Sequence, residues 1–425
     1  MIDIKLVLQQ PDYVAEELSK KGIDKSEIYK LSDLLVCRNS LLAEVEDMRS
    51  ESNKIASSVK ELYSIKGTDT SKIEELKLKA TNLKVFLKQK EDELKQLNDD
   101  VSYIHMRLPN FPNPMSPIGS SEEDNVIIRI ENYDEAKYKD KTFKPHWELA
   151  ENLDILDLKR ASKISGSMFA VFKNDGSRLL KALVDLALEI NRDEYQEITP
   201  PHFVNSSTFT GTGHLPKFAV DAYGLKDDDL WAIPTGEVPL TGLHRDEILA
   251  AEDLPKKYMA YTVCFRREAG TYGKDTRGLQ RLHEFHKVEL LKIAEKENCW
   301  NEFEKMLANA EKILQMLQLP YRIVNLCTGD LTFSSSLIYD IEVYAAGLDK
   351  WLEVSSVGIF TDFQARRSNI RYRKDGELHF PHILNGSAIA IPRVWAAIAE
   401  NYQNADGSIA VPEVLKKYMK KDVID

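Results

Sequence analysis

One stretch of the chain concentrates residues that could do chemistry: FRREAGTYGKDTRGLQRLHEFHKVELLK, at residues 265–292. It carries seven Lys or Arg and four Asp or Glu, in a chain whose formal net charge is -11. Arginine binds phosphate through paired hydrogen bonds and keeps its charge. A carboxylate can accept a hydrogen bond from an amine, and an aromatic ring can stack on a base. The stretch therefore predicts a binding site for a phosphorylated ligand of nucleotide size.

Two neighbouring strands would bring these side chains to one face. Alternation along a strand at 258–268 points Cys264, Arg266 and Glu268 the same way. A partner strand at 281–293 presents a second set on one face: Arg281, His283, Phe285, Lys287 and Glu289. Glu289 follows Phe285 by about 13 Å along a strand, where it could hold an ammonium group at the far end of the ligand. A salt-bridged surface hairpin is the alternative for any single arginine, whereas the whole set on one face favours a site.

Common signatures of nucleotide and hydrolase chemistry are missing from the sequence. It contains no GxxxxGK[ST], HExxH or GxSxG motif. GTGHLP at 211–216 lacks the strand-to-helix context that a dinucleotide-binding fingerprint needs. The arginine-rich stretch is therefore the main candidate site.

The segments around this stretch predict a domain of mixed structure. Further strands are predicted at 338–345, 351–357 and 382–391, and most strands are joined by turns. The apolar stripe of 175–193 predicts a helix capped by Asp175 or Ser177. Strands joined mainly by turns favour a largely antiparallel sheet with helices packed on it, which is an α+β fold.

The first hundred residues follow a different pattern. Residues 26–65 contain no Gly or Pro, and apolar residues recur every three or four positions both there and at 72–104. KGTDT at 66–70 predicts a turn between the two segments. We predict an antiparallel helical hairpin with helices of roughly 50–60 Å, at 1.5 Å per residue. Four prolines between 109 and 117 end it and mark a domain boundary near residue 110.

Composition limits the class of protein. The 425 residues are 43% hydrophobic and 29% charged, which is typical of a soluble globular chain of two or three domains. The acidic balance argues against a general nucleic-acid coat but leaves local basic surfaces open. The lack of an 18-residue apolar run and the acidic N-terminus predict no membrane span, signal peptide or transit peptide, and a cytoplasmic location. The four cysteines, none in a CxxC pair, are predicted to be reduced core thiols.

Several segments resemble the seryl-tRNA synthetases, a class II aminoacyl-tRNA synthetase family. Residues 265–292 resemble motif 2 of that family, and NGSAIAIPRVWAAIAENYQNADGSIAVPEVLKKYM resembles motif 3 and the C-terminal end. PTGEVPLTGLHRDEI resembles the serine-binding TxE loop, and residues 329–373 resemble the segment between motifs 2 and 3. The N-terminal hairpin resembles the tRNA-binding arm. The resemblance runs through essentially the whole chain in order.

The resemblance implies a fold, an assembly and a reaction. The fold would be a class II antiparallel catalytic sheet flanked by helices, preceded by a coiled-coil arm, in a homodimer. The chain would divide into a tRNA-binding domain at 1–110, with the arm at about 26–104, and a catalytic domain at 111–425. The reaction would convert L-serine and ATP, with Mg²⁺, to seryl-adenylate and pyrophosphate. Serine would then pass to tRNA(Ser), and usually in this family also to tRNA(Sec).

The resemblance also implies roles for single residues. Two arginines are expected to be catalytic: Arg266 would grip the α-phosphate and the amino-acid carboxylate, and Arg393 would pack on adenine and hold the γ-phosphate. Glu268 would read the adenine amino group. The other expected ATP contacts are Arg267, Arg281, Phe285, Glu353, Val354, Ser355 and Ser356, and Glu353 and Ser356 would also bind Mg²⁺. The expected serine contacts, besides Arg266, are Thr235, Gly236, Glu237, Glu289, Asn385 and Ser387. Candidate tRNA contacts near the arm tip are Lys54, Lys60, Lys66 and Lys72.

Three phrases depart from the usual family text: TGE at 235–237, SSVGIF at 355–360 and GSAIAIPR at 386–393. They affect backbone shape and pocket walls, and so bear on substrate stringency more than on the reaction. Individual residues also have structural alternatives, since Glu237 and Glu353 could be salt-bridge partners and Ser387 a helix cap.

Two other functions stay open at this point. A related ligase could load a small amino acid onto a carrier protein, although such relatives usually lack the long arm. A non-catalytic tRNA-binding or scaffold protein would be expected to have lost Arg266, Glu353 or Arg393, all of which are present.

Overall fold

The computed structural model describes residues 1–64, 70–269 and 277–425. Two compact units make up this part of the chain: residues 2–108 form one, and residues 109–425 together with Met1 form the other. The predicted turn at 66–70, apart from Thr70, lies outside the described residues, and so does the candidate tRNA contact Lys66. Residues 270–276 of the arginine-rich stretch also lie outside them.

The smaller unit is helical. Its elements are α1 (Ile4–Gln9), α2 (Pro11–Ser19), α3 (Lys25–Ser64) and α4 (Thr70–His105). The long helices confirm the predicted hairpin, and the predicted apolar positions supply its buried seam: Ile28, Leu31, Leu35, Leu41, Val45, Ile55, Ile73 and Val101. Exposed ion pairs such as Arg49–Glu91 link the two helices across the surface.

The larger unit combines short helices with many strands. Its helices are α5 (Glu135–Tyr138), α6 (His146–Asn152), α7 (Leu158–Ser165), α8 (Asn174–Asn191), α9 (Ser206–Gly211), α10 (Glu237–Gly242), α11 (Cys299–Met316), α12 (Phe363–Arg367), α13 (Ile391–Asn401) and α14 (Lys416–Met419). Its strands are β1 (Val126–Glu131), β2 (Gln196–Glu197), β3 (Phe203–Val204), β4 (Trp231–Ala232), β5 (Ile248–Ala250), β6 (Lys256–Phe265), β7 (Glu284–Ala294), β8 (Tyr321–Asn325), β9 (Leu337–Ala345), β10 (Lys350–Ile359), β11 (Arg371–Lys374), β12 (Glu377–His379), β13 (His382–Ala390), β14 (Ile409–Ala410) and β15 (Val423–Ile424).

A large sheet organises this unit. In the described part of the chain it has eight strands in the order β1-β8-β9-β10-β13-β7-β6-β2. Every neighbouring pair is antiparallel except β2 with β6. This sheet confirms the predicted α+β fold with a largely antiparallel sheet. Helices α8, α11 and α13 pack on one face of the sheet and bury apolar side chains such as Val288 and Leu290 completely.

Some local predictions were wrong. β6 ends at Phe265, and Glu268 has a φ of 48°, so the predicted strand does not extend to residue 268. The N-cap of α8 is Lys173, with no side-chain cap, because the helix begins at Asn174, before Asp175 and Ser177. Cys264, Cys299 and Cys327 are buried free thiols as predicted, but Cys37 is exposed on α3. No helix within the described ranges is long and apolar enough to cross a membrane.

Candidate active site

A cavity of roughly 600 Å³ opens beside the face of the sheet that is away from α8, α11 and α13. Its lining includes predicted site residues from four separate parts of the sequence: Thr235, Glu237, Arg266, Glu268, Arg281, Phe285, Glu353, Val354, Ser356, Asn385, Ser387 and Arg393. Strands β7, β10 and β13, the segment that follows β6 and the start of α13 therefore converge on one cavity of the size usual for small-molecule ligands.

Antiparallel pairing of β6 with β7 builds one wall. Cys264 lies opposite Phe285, and the chain continues past β6 to Arg266, whose guanidinium lies 5.1 Å from the centre of the Phe285 ring. The Arg266 Nε also donates to the Pro234 carbonyl over 3.3 Å. These contacts hold a permanent cation at the cavity wall, where it is ready to meet an anionic ligand.

Arg281 and Glu268 form an ion pair in the wall next to this arginine. The Arg281 NH1 donates to Glu268 Oε2 over 3.1 Å. The positive φ of Glu268 turns the backbone after β6, so that its side chain lies among the cavity residues although the strand has ended. A carboxylate in this position can accept a hydrogen bond from an exocyclic amine of a bound base.

A buried carboxylate, Glu289, lies at the other end of the wall. Its Oε1 accepts from Asn385 Nδ2 over 2.8 Å, and its Oε2 accepts from Thr235 Oγ1 over 2.7 Å. Lys287 forms an ion pair with Glu289 and donates to Thr235 Oγ1 over 2.7 Å. The network closes around a small polar space, which suits a ligand that carries both an ammonium and a hydroxyl group.

Glu237, which also lines this space, has an altered protonation equilibrium. Burial, with the nearby Glu289 charge, raises the pKa of Glu237 to about 7 against a hydrogen bond from Gln364. His214 lines the same end of the cavity, and burial, with the positive charge of Arg266, lowers its pKa to about 3. The imidazole is therefore neutral near pH 7, and the Glu237 carboxyl group titrates near that pH.

Bulges in two strands re-aim side chains into the cavity. β10 has an irregular register between Glu353 and Ser355, and β13 has one between Ser387 and Ile389. Strict alternation would separate residues 353 and 356, yet both Glu353 and Ser356 line the cavity. Ser355 points elsewhere, since its hydroxyl donates to the Ser387 carbonyl.

Glu353 and Ser356 offer the hard oxygen ligands that a divalent cation prefers. Asp340, opposite Ser356 on β9, forms a side-chain hydrogen bond with it, and its Oδ1 is buried with no hydrogen-bond partner. Burial, reinforced by the Glu353 charge, raises the pKa of Asp340. In the described part of the chain no three His, Cys, Asp or Glu side chains form a metal cluster. A cation here would therefore need ligand and water oxygens to complete its coordination.

Arg393 joins the two sides of the cavity from the first turn of α13. Its Nε donates to the Gln280 carbonyl over 3.1 Å, and its NH1 donates to the Glu353 carbonyl over 2.7 Å. The preceding Pro392 lies in the first turn of the helix, as expected of a residue that lacks a backbone N–H.

Four predicted site residues do not line the cavity: Arg267, Gly236, Ser355 and Glu289. The backbone N–H of Arg267 donates to the Asp221 carbonyl, and Gly236 lies behind Glu289, where an added Cβ would be 2.9 Å from the Glu289 Cβ. Glu289 is fully buried and reaches the site through its partners Thr235 and Asn385.

Sequence reasoning gave no role to Lys287, His214, Gln364 or Asp340. Strand alternation placed Lys287 on the face shared with Phe285 and Glu289. It did not predict the buried ion pair between Lys287 and Glu289. Asp340 meets Ser356 only through the register of β9 with β10, which local sequence does not define.

Comparison with known proteins gives two family matches and close full-length relatives. Residues 1–112 match the seryl-tRNA synthetase N-terminal domain, and residues 218–402 match the tRNA synthetase class II core domain (G, H, P, S and T). The serine–tRNA ligase of Geobacillus kaustophilus is 45% identical over 429 residues, which cover 100% of both chains. That of Listeria welshimeri is 42% identical over 423 residues, or 99% of this chain and 98% of the relative.

A solved structure has the same overall fold. The crystal structure of seryl-tRNA synthetase from Pyrococcus horikoshii complexed with ATP aligns with a TM-score of 0.90 at 36% identity. The alignment covers 100% of this chain and 99% of the other.

The raised pKa of Glu237 predicts a pH-dependent stability. Between the ordinary value of 4.5 and about 7, the unfolded state releases a proton that the folded state keeps, so stability falls as pH rises through this window. Glu237→Gln removes this loss. We expect the variant to gain up to about 3 kcal/mol over the native chain between pH 4 and pH 8.

Urea unfolding followed by tryptophan fluorescence measures this gain, because all five tryptophans lie in the unit that contains Glu237. Glu413→Gln is the matched control, since Glu413 is an exposed carboxylate of the same unit. Parallel stability curves for Glu237→Gln and the native chain would contradict the prediction.

Proposed function

The chain belongs to the seryl-tRNA synthetase family of the class II aminoacyl-tRNA synthetases, and we propose that its larger unit activates L-serine with ATP before transfer to tRNA(Ser). One observation supports the proposal most strongly. Arg266, Phe285, Glu353 and Arg393 line a single cavity, and the buried carboxylate Glu289 hydrogen-bonds to two further lining residues, Thr235 and Asn385. A bent nucleotide and a small amino acid can therefore be bound side by side.

The activation step joins a serine carboxylate oxygen to the α-phosphorus of ATP and releases pyrophosphate. Negative charge is redistributed over the phosphoryl oxygens as the bond to the leaving group breaks. We assign Arg266 to this charge, because the Phe285 ring and the Pro234 carbonyl orient its guanidinium. Preorganised cations of this kind require no rearrangement during the reaction.

We assign serine selection to the closed network around Glu289. Thr235 and Glu237 would receive the ammonium group, and the buried Glu289 would act on it through Thr235, while Asn385 and Ser387 would meet the hydroxyl. Alanine has the same backbone but leaves these polar groups unpaired, which disfavours it more than a size difference would.

ATP binding would use the remaining lining residues. Phe285 would stack on adenine, Glu268 would accept from the adenine amino group, and Arg281 and Arg393 would pair with phosphate. We assign Mg²⁺ to Glu353 and Ser356, whose hard oxygens fit the ion, with Asp340 oriented beside them. The ion would neutralise phosphate charge when it is bound. The remaining predicted contacts are Arg267, Gly236 and Ser355. These residues would support the site by holding the backbone beside the lining residues.

Two features favour this function over the alternatives. The long helices α3 and α4 are present, whereas a ligase that loads a carrier protein would usually lack them. Arg266, Glu353 and Arg393 are retained and line the cavity, whereas a non-catalytic scaffold would have no need to retain them.

Serine-dependent exchange of pyrophosphate into ATP tests the activation step. We expect exchange with serine but not with glycine or alanine. Arg266→Ala should lower the rate by about 10²–10³-fold, since it removes a preorganised charge. Exchange with no amino acid would favour the scaffold, and a preference for glycine or alanine would favour the carrier-protein ligase.

Arg322→Ala is a matched control for Arg266→Ala. Arg322 is also partly buried, and its guanidinium lies 4.9 Å from the centre of the Trp351 ring. It does not line the cavity. The assignment of Arg266 fails if its variant exchanges pyrophosphate as fast as the control.

We assign tRNA binding to the helical arm. Lys54, Lys60 and Lys72 are exposed on α3 and α4, and cations in such positions bind phosphate with a strong salt dependence. Changing all three to Glu should weaken tRNA(Ser) binding by at least about tenfold and reduce the slope of log affinity against log salt. Pyrophosphate exchange, which needs no tRNA, should be unchanged.

Filter binding across a salt series measures these effects, and the same assay with tRNA(Sec) tests the second acceptor that the sequence resemblance implies. Changing the exposed Lys159, Lys163 and Lys181 of the larger unit to Glu gives a control with the same change in net charge. Equal losses in the two triple variants would refute the assignment to the arm.

We propose a homodimer that uses β1, because this edge strand exposes apolar side chains on both of its faces. Val126, Ile127, Ile128 and Ile130 are each 45–48% exposed. An exposed apolar edge strand is a site for pairing with another chain. Ile128→Lys with Ile130→Lys should therefore shift the mass in solution from two chains towards one of 48.5 kDa.

Size-exclusion chromatography with light scattering measures the mass. Ile164→Lys changes an isolated exposed residue on α7 and should leave it unaltered. A native chain that elutes as a monomer, or a double variant that stays dimeric, would refute this interface.

A further inference from the structure

We propose that the buried pair His146–Glu400 is a positioning device that holds the cavity segment 278–281 in register with the rest of the site. The proposal rests on the proposed function, because this segment carries contacts that we assign to ATP. Neither residue lines the cavity, and both side chains are fully buried.

The hydrogen bonds of His146 define its role. Its Nε2 lies 2.9 Å from the backbone nitrogen of Leu279, and its Nδ1 lies 2.7 Å from Glu400 Oε1. A backbone N–H can only donate, so Nε2 must accept and the ring proton must be on Nδ1. Glu400 therefore selects the one neutral tautomer of His146 that can hold Leu279.

The segment held by His146 contributes directly to the cavity. Gln280 follows Leu279, and its carbonyl accepts from Arg393 Nε over 3.1 Å. Arg281 comes next and pairs with Glu268. Gly278, with a φ of 72°, packs so closely on His146 that an added Cβ would lie 2.2 Å from Nε2. The backbone of Gly278 therefore packs directly against the imidazole of His146.

The second oxygen of Glu400 reaches another part of the site. Oε2 accepts from the backbone N–H groups of Gly347 and Leu348 over 2.8 and 3.2 Å. These residues form the turn that leads into β10, the strand that carries Glu353. With the backbone N–H of His146, which donates to Oε1 over 2.9 Å, Glu400 accepts from four donors. One carboxylate therefore ties together the segments that carry Arg281 and Glu353.

Helix α13 makes this connection at both ends. Arg393 in its first turn contacts the carbonyls of Gln280 and Glu353. Glu400 in its last turn holds Leu279 through His146 and binds the turn that precedes β10. Loosening the end at Glu400 should therefore displace phosphate contacts and leave the Glu289 network intact. ATP affinity should fall while serine affinity is retained.

Two substitutions of His146 separate the two hydrogen bonds. His146→Gln places an amide oxygen near the position of Nε2, where it can accept from Leu279, but it loses the donor to Glu400. His146→Asn keeps a donor near the position of Nδ1 and loses the acceptor. We expect His146→Asn to raise KM for ATP by about tenfold or more, with KM for serine unchanged, because small misplacements of binding groups are costly. His146→Gln should largely restore KM for ATP.

Glu400→Gln is a second route to the same defect. Either orientation of the new amide turns its NH₂ group towards existing N–H donors, at His146 or at Gly347 and Leu348. We expect it to resemble His146→Asn. Glu302→Gln is the control, because Glu302 belongs to another buried ion network, with Lys292, away from the cavity. It should lower stability without changing KM for ATP.

Hydrogen exchange at the Leu279 amide gives a readout that does not depend on catalysis. We expect protection to be lost in His146→Asn and Glu400→Gln and kept in His146→Gln and Glu302→Gln. Equal protection and equal ATP affinity, by equilibrium dialysis, in the two His146 variants would overturn the proposal. So would lost protection with unchanged ATP affinity. An enzyme that fails to exchange pyrophosphate with serine would refute the proposed function, while the Leu279 and ATP measurements would still decide the role of His146.

Discussion

The register of β7 between β6 and β13 is the constraint on which the candidate site depends. It places Thr262 opposite Lys287, and both Ala260 and Ser387 opposite Glu289. A slip of one residue would turn Val288 and Leu290 towards the cavity and force the charged side chains under the helices, because strand faces alternate strictly. The burial of apolar residues beneath α8, α11 and α13 therefore also determines where the polar groups lie. Apolar packing on one face of the sheet therefore determines the positions of the polar side chains on the other face.

Buried charge on the polar face is stable only because it is paired. Glu289 has no exposed surface, and removing a carboxylate from water costs several kcal/mol unless it gains hydrogen bonds and a counter-ion. Lys287, Thr235 and Asn385 supply these contacts from within the protein. Burial raises the pKa of Glu237 to about 7 against a hydrogen bond from Gln364, whereas Glu289 is ion-paired with Lys287. Two neighbouring carboxyl groups thus have different roles because their partners differ.

Much of this architecture could be predicted from the sequence, and the limits have physical causes. Periodicity located α3 and α4, and alternation grouped Arg281, Phe285, Lys287 and Glu289, because both signals are local. The bulges at Glu353–Ser355 and Ser387–Ile389 could not be predicted, since a bulge depends on the partner strand as much as on the bulged one. The hydrogen bond between His146 and Glu400 could not be predicted either, because the two residues are 254 positions apart in the sequence. The resemblance to a known family supplied the roles of site residues, whereas the contacts among them came only from the fold.

The departures from the usual family text are best understood at Gly236, the middle residue of TGE. An added Cβ there would lie 2.9 Å from the Cβ of Glu289 and 3.2 Å from the hydroxyl of Thr262. The glycine therefore lets the loop at 235–237 approach β7 more closely than a side chain would allow. Thr235 can then donate to Glu289 while Glu237 packs against Gln364. A relative with alanine at this position must hold its loop farther from the strand, or shift the glutamate, to make room. The space beside Glu289 is in this way limited by a missing methyl group in the loop at 235–237.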